Sequence, residues 1–259
     1  QERYIRRLPY WKTIRDNYLS KDRKVVYVYT YSIKSFTTDK ELLEMYGKRP
    51  DTFNEEELLR VASLQTTLEA KKEVYATLLK YFPQNKVAAN NLAVLWLRED
   101  NEEQARAVLE TLEENSPETL NALAASYVYA DDYERAIELL RDVELPEARY
   151  NLGLLKARQR KLAEAYELLR PFADLNSAIS ALSLNRNEEA KSILKGVEAQ
   201  TPVAEYVRSL TAARLREDRE FYRHIGPACH DGQLRERAKT EPDFRPYRTE
   251  EMFLKAVNR

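Results

Sequence analysis

Between residues 52 and 202, small and apolar residues return at fixed offsets on a mostly charged background. Ala105, Ala136, Ala165 and Ala190 each stand twelve positions after another small residue, namely Ala93, Ala124, Gly153 and Ala178. Leucine follows four positions later (Leu109, Leu140, Leu169, Leu194), and a further apolar residue follows seven positions later (Leu112, Val143, Phe172, Val197). Offsets of three and four place these residues on one face of a helix. The pattern predicts helix pairs at 86–98 with 101–114, 117–130 with 132–143, 146–158 with 161–171, and 174–184 with 187–198. Asp100-Asn101, Ser116-Pro117, Asp131-Asp132 and Thr201-Pro202 supply stop and start residues between them. The small residues have a packing reason, because two helices that cross closely leave no room for a large side chain. Pro171 is expected to end its helix early and tighten the link to the next pair.

The pattern frays at both ends. In the first pair Leu59 falls in the small slot and Lys71 in the alanine slot, although Tyr75, Leu78 and Pro83 keep the later phases. A sixth first helix over 203–216 puts Ala212 in the small slot. His224 then falls where alanine is expected, and Gly226-Pro227 is expected to interrupt the second helix. Phe244 and Tyr247 read as plugs on the last apolar face. Residues 1–40 differ from everything that follows. Tyr10, Trp11, Ile14, Tyr18 and Leu19 fit a short amphipathic helix, and Lys24 to Ser35, KVVYVYTYSIKS, has the composition of a β-strand. A lone strand leaves backbone groups unpaired, so a partner is expected: a second copy of the chain, an upstream domain, or a hairpin with another segment. The organisation expected is an N-terminal helix-plus-strand segment over 1–40, helical repeats over 41–216 and a capping region over 217–259.

Charge narrows the function classes. The chain carries 42 Lys and Arg against 43 Asp and Glu, which gives no nucleic-acid signature overall. The distribution is uneven: residues 1–40 hold 10 basic against 4 acidic residues, and residues 41–202 hold 20 against 29. No apolar run approaches the ~18 residues of a membrane span. The first residue, Gln1, fits a processed or excised product. Cys229 is the sole cysteine. It lies in a cluster, His224-Ile225-Gly226-Pro227-Ala228-Cys229-His230-Asp231, that holds both histidines of the chain. Zinc spacing calls for a second ligand pair, and nucleophilic catalysis calls for an oxyanion hole and an orienting group. The sequence offers neither, so the cluster reads as a capping loop, and no catalytic residue, metal or cofactor is assigned.

The repeat spacing resembles the tetratricopeptide repeat. Leu92-Ala93 with Trp96 and Ala105, Leu123-Ala124 with Tyr127 and Ala136, and Leu152-Gly153 with Ala165 carry the likeness, and Ser177-Ala178 with Ala190 continues it. It implies an all-α, right-handed solenoid of about five to six helix pairs whose first helices line a concave groove. Phase within those helices then places Asn90, Asn91, Val94 and Arg98, Asn121, Ala125 and Tyr129, and Tyr150, Asn151, Leu154 and Arg158 on the groove. Asn91, Asn121 and Asn151 recur every 30 residues. Such amides either bind a peptide backbone or tie neighbouring helices together, and both readings stay open. Residues 1–68 also resemble bacterial cell-envelope proteins in which an outer-membrane-protein-A-like domain precedes a repeat tail. The expected function is therefore a non-catalytic scaffold that binds a protein or peptide, on the periplasmic side of the outer membrane. The alternative is a cytoplasmic adaptor that self-associates through the N-terminal strand.

Overall fold

The computed structural model describes residue 9, residues 11–14 and residues 38–258. The expected strand over Lys24–Ser35 and the rest of the N-terminal amphipathic helix lie outside the described residues. The fold is all-α, with 16 helices and no strand among the described residues. Residues 1–42 and 43–259 form two compact units. The first holds the single turn α1 (Trp11–Ile14) and the start of α2 (Asp39–Tyr46).

In the second unit the helices follow one another in pairs: α3 (Glu55–Leu64) with α4 (Leu68–Tyr81), α5 (Lys86–Leu97) with α6 (Glu102–Leu109), and α7 (Pro117–Tyr129) with α8 (Tyr133–Leu140). Then come α9 (Pro146–Arg158) with α10 (Leu162–Leu169), α11 (Leu175–Ser183) with α12 (Asn187–Gly196), and α13 (Pro202–Leu215) with α14 (Asp218–Ala228). Each helix packs on the next, and the first helices of neighbouring pairs also touch, as α5 does α7 and α7 does α9. This is helical-repeat packing. Pro171 ends α10 as expected: the chain leaves Leu169 through a 3-10 turn, Arg170–Phe172, and Ala173 takes a left-handed φ of 49°.

The small slots are the contact points. Ala93, Ala105, Ala136, Ala165, Ala178 and Ala190 have no exposed surface. Gly153 marks the closest approach, because a Cβ built there would stand 2.8 Å from Leu169 Cγ and 3.2 Å from Leu168 Cβ. From the second pair to the sixth, the turns that join paired helices share one construction. Asp100, Asp131, Arg160, Asn185 and Arg216 all hold φ between 53° and 60°. The next residue's N–H bonds back to the carbonyl of Trp96, Tyr127, Lys156, Ala181 or Ala212, respectively. That bond satisfies an orphan carbonyl at the helix end, and the left-handed residue reverses the chain in three positions. Asn and Asp tolerate that conformation better than the two arginines do.

This turn supplies an internal ruler, and it corrects the register at the C-terminal end. The turn residue stands seven positions after Ala93, Ala124, Gly153 and Ala178. Counting back from Arg216 puts Ser209, not Ala212, in the small slot of the sixth pair. Phe221 then occupies the alanine slot and Ile225 the leucine position, with relative exposures of 0% and 1%. His224 lies off that register. Gly226-Pro227 does not interrupt the helix either. Both lie in the last turn of α14, where Pro227 removes the bond to the Arg223 carbonyl but only Ala228 of the helix follows it.

The first pair shifts as well. Leu59 and Lys71 are only half-buried, whereas Leu58, Val61, Ala62, Val74 and Leu78 form the core. Ala62 therefore holds the small slot, 31 residues before Ala93, with Val74 twelve positions after it.

A cap closes the array with α15 (Gly232–Thr240), a 3-10 segment Pro242–Tyr247 and α16 (Glu251–Val257). Phe221 fits in place of alanine because the cap surrounds it with rings. Tyr247 stacks on it at 3.9 Å, and Phe244 meets it edge-on at 5.1 Å. The plugs Phe244 and Tyr247 are buried, as expected.

Two substitutions test this packing. Gly153→Ala should lower stability by about 1–2 kcal/mol, since overpacking outweighs the ~1 kcal/mol that alanine adds to a helix. Gly226→Ala, with open space around it, should not destabilise. Chemical denaturation of both variants reads the opposite signs. Burial, then the hydrogen bond and charge of Asp218, push the Tyr247 hydroxyl up to about 12. The folded chain therefore holds a proton that the unfolded chain loses near the ordinary value of 10.0. This contribution is complete below pH ~10 and is lost as pH rises towards ~12. Alkaline melts should show that loss in the parent and a smaller one in Tyr247→Phe.

Candidate functional site

The first helices of the middle pairs carry the candidate residues, and their distance from the small slot decides which are free. Three places before the slot stand Asn90, Asn121, Tyr150 and Leu175. Two places before it stand Asn91, Ala122, Asn151 and Asn176. The asparagines that recur every 30 residues therefore do not share one position: Asn91 and Asn151 belong to the second set and Asn121 to the first. Their regular spacing comes from repeats of 31 and then 29 residues.

The two sets meet on a diagonal between neighbouring pairs. Asn151 Nδ2 donates to Asn121 Oδ1 at 2.9 Å, and Asn176 Nδ2 donates to the Tyr150 hydroxyl at 2.6 Å. Tyr150 in turn donates to Asp174 Oδ2 at 2.5 Å and packs edge-on against Phe172 at 4.8 Å. Burial raises the Tyr150 pKa, and the hydrogen bond to Asp174 adds to the shift. Burial would raise Asp174 too, but hydrogen bonds from Tyr150 and Ser177 outweigh it and hold the carboxyl below its ordinary value. One interface earlier, Ala122 stands where Asn151 and Asn176 stand. Correspondingly, Asn90 Oδ1 is buried with no hydrogen-bond partner among the described residues. One interface later the diagonal is apolar, with Leu175 and Val207 in one cluster. Asn121, Tyr150 and Asn151 thus hold repeats together.

The other candidates face solvent. One place after the slot stand Val94, Ala125, Leu154 and Ile179. Val94, Leu154 and Ile179 are 41%, 36% and 37% exposed. Five places after the slot stand Arg98, Tyr129 and Arg158, all exposed, with Tyr129 at 51%. These offsets, with Asn91 two places before the slot, fall on one side of a helix that turns ~100° per residue. Arg158 is oriented by the Tyr133 ring, 3.9 Å from its guanidinium carbon. Ile179 belongs to this stripe and was not among the sequence candidates. Its signal was available, since it follows Ala178 as Val94 follows Ala93.

The His224–Asp231 cluster is dispersed by the fold. His224 Nδ1 lies 2.6 Å from Glu205 Oε2. Cys229 is buried, which raises its thiol pKa, and Asp231 caps α15 through the N–H groups of Gln233 and Leu234 at 2.9 Å. Among the described residues no three His, Cys, Asp or Glu side chains converge as metal ligands. No described helix is long and apolar enough to cross a membrane. No protein-family model matches the chain, and no curated protein matches it.

The diagonal makes a direct prediction. Asn121→Ala and Asn151→Ala should each cost about 1 kcal/mol, and the double variant should cost less than the sum because the two share one bond. Additive losses in denaturant titrations would mean the amides do not act on each other.

Proposed function

We propose that this chain is a non-catalytic scaffold of tetratricopeptide-like repeats that holds a protein segment along the solvent side of its first helices. The apolar stripe of Val94, Leu154 and Ile179 carries this reading. A single exposed leucine is ordinary in a folded protein. Here large exposed apolar residues return at one register position on three of the four middle first helices, which favours a shared purpose. Arg98, Tyr129 and Arg158 run beside the stripe. Tyrosine and arginine are the side chains that most often anchor partners, and Arg158 is already ordered by Tyr133. An extended or helical segment with apolar groups spaced like the repeats would dock across this face. The buried diagonal of Asn121, Asn151, Tyr150 and Asn176 would keep the first helices at fixed spacing for that ligand. We further propose a bacterial cell-envelope setting, on the resemblance of residues 1–68 alone, to be tested by fractionating source cells.

A photo-crosslinking residue placed at position 129 in the source cells should trap a partner. Val94→Glu with Leu154→Glu should reduce the adduct about tenfold, as two charges on an apolar contact would, while leaving the melting temperature unchanged. An adduct of undiminished yield in the double variant would overturn the reading.

A further inference from the structure

The grooves between successive pairs point to a second binding site, on the opposite side of the first helices from the stripe. Two positions fill each groove: the fifth residue of one pair's second helix, and the first-helix residue of the next pair whose carbonyl accepts the turn bond. Between the first and second pairs these are Lys72 and Trp96, with the Lys72 ammonium 4.6 Å from the ring centre. Lys72 is held there by Glu99, in the turn after the same first helix, at 2.5 Å. Between the second and third they are Arg106 and Tyr127, again 4.6 Å apart. Between the fourth and fifth the ring comes from the other side: Tyr166 is 1% exposed and shares a cluster with Ala181. Three of the five grooves thus contain an aromatic ring that carries a cation, since Arg186 lies 4.3 Å from the Tyr166 ring.

The other two grooves have no ring at either position, and a cleft borders each of them. Between the third and fourth pairs the residues are Ile137 and Lys156, beside a cleft of about 550 Å³. There Lys156 forms an ion pair with Glu164 at 2.7 Å and takes up the slot. Between the fifth and sixth pairs they are Lys191 and Ala212, in a cleft of about 750 Å³. Its floor includes Leu194, Val197 and Ala212. Lys191 is hydrogen-bonded to Glu217, in the turn that follows the adjoining first helix, much as Lys72 is to Glu99 in its own turn. The cation, its carboxylate and the apolar floor are all present here; the ring is missing.

We infer that the cleft between α12, α13 and α14 receives an aromatic side chain from a partner protein, seated over Ala212 beneath the Lys191–Glu217 pair. The volume lies in the range of ligand pockets, and a ring under an ammonium is favoured over an aliphatic group of similar size. His224, fixed by Glu205 at 2.6 Å, forms part of the wall. This site is independent of the stripe on the first helices.

The test is an amide chemical-shift titration of the full 259-residue chain with N-acetyl-tryptophanamide, and with N-acetyl-leucinamide as the aliphatic control. Saturable shifts centred on Lys191, Leu194, Ala212 and His224 are expected with the tryptophan probe, and binding about threefold weaker with the leucine probe. Ala212→Trp supplies the ring from within the chain, as Trp96 does, and should abolish the shifts without lowering the melting temperature. Lys191→Met removes only the cation and should weaken the tryptophan probe about threefold while leaving the leucine probe unaffected. The inference fails if the parent shows no saturable shifts there, if both probes bind it equally, or if Lys191→Met weakens neither probe or both alike. Undiminished binding by a folded Ala212→Trp would also overturn it.

Discussion

At Gly153 the backbone of α9 comes so near α10 that even a methyl group would meet Leu169 at 2.8 Å. That approach of paired helices, repeated at Ala93, Ala124 and Ala178, is the constraint from which the rest of the array follows. From the second pair onward the two helices are joined by a chain that reverses within three residues, through one left-handed residue at each of these turns. Asp100, Asp131, Arg160, Asn185 and Arg216 supply that residue without glycine. The tight turn, in turn, fixes which first-helix residue faces the groove to the preceding pair. Trp96, Tyr127, Lys156, Ala181 and Ala212 all occupy that place, and their sizes, together with that of the facing residue of the preceding second helix, decide whether the groove is filled.

Cohesion between pairs rests on weaker and more varied contacts. The buried clusters pass from pair to pair, as Ala122 and Leu123 of α7 join Ala93 and Ala105, and Val207 of α13 joins Ala178 and Ala190. Polar diagonals add about 1 kcal/mol each where both partners are present. Exposed ion pairs such as Lys86–Glu114 add little, because solvent screens them. At the end of the array a different solution appears. Phe221 replaces alanine and draws Phe244, Tyr247 and Phe253 around it, so the last apolar face is covered by rings. The same logic makes the ringless groove before it conspicuous, because the chain places a filled ring cluster on one side of α14 and an open cleft on the other.

Part of the candidate surface was legible from the sequence. Asn91, Val94, Arg98, Tyr129, Leu154 and Arg158 are exposed on the first helices, as phase within a helix implies. Asn121, Tyr150 and Asn151 have the same residue chemistry but are engaged with one another or with Asp174 and Asn176. Nothing local separates the two groups. An asparagine two places before a small slot is free or bound according to the residue three places before the slot in the preceding pair, some thirty positions earlier.

The sequence by itself determined the pairing of helices, the small residues between them and the positions of most turns. All of these depend on spacings of three, four, seven and twelve residues within one hairpin, and such spacings can be read without knowing what lies beside it. Only the tertiary structure decided the register at the two ends. Leu59 and Lys71 yielded to Ala62 and Val74, and Ala212 and His224 yielded to Ser209 and Phe221. It also decided which polar residues hold repeats together and which groove lacks a ring. Those outcomes depend on burial against a helix from another pair, and a helix's own periodicity is the same whether or not the neighbouring helix fills the space beside it.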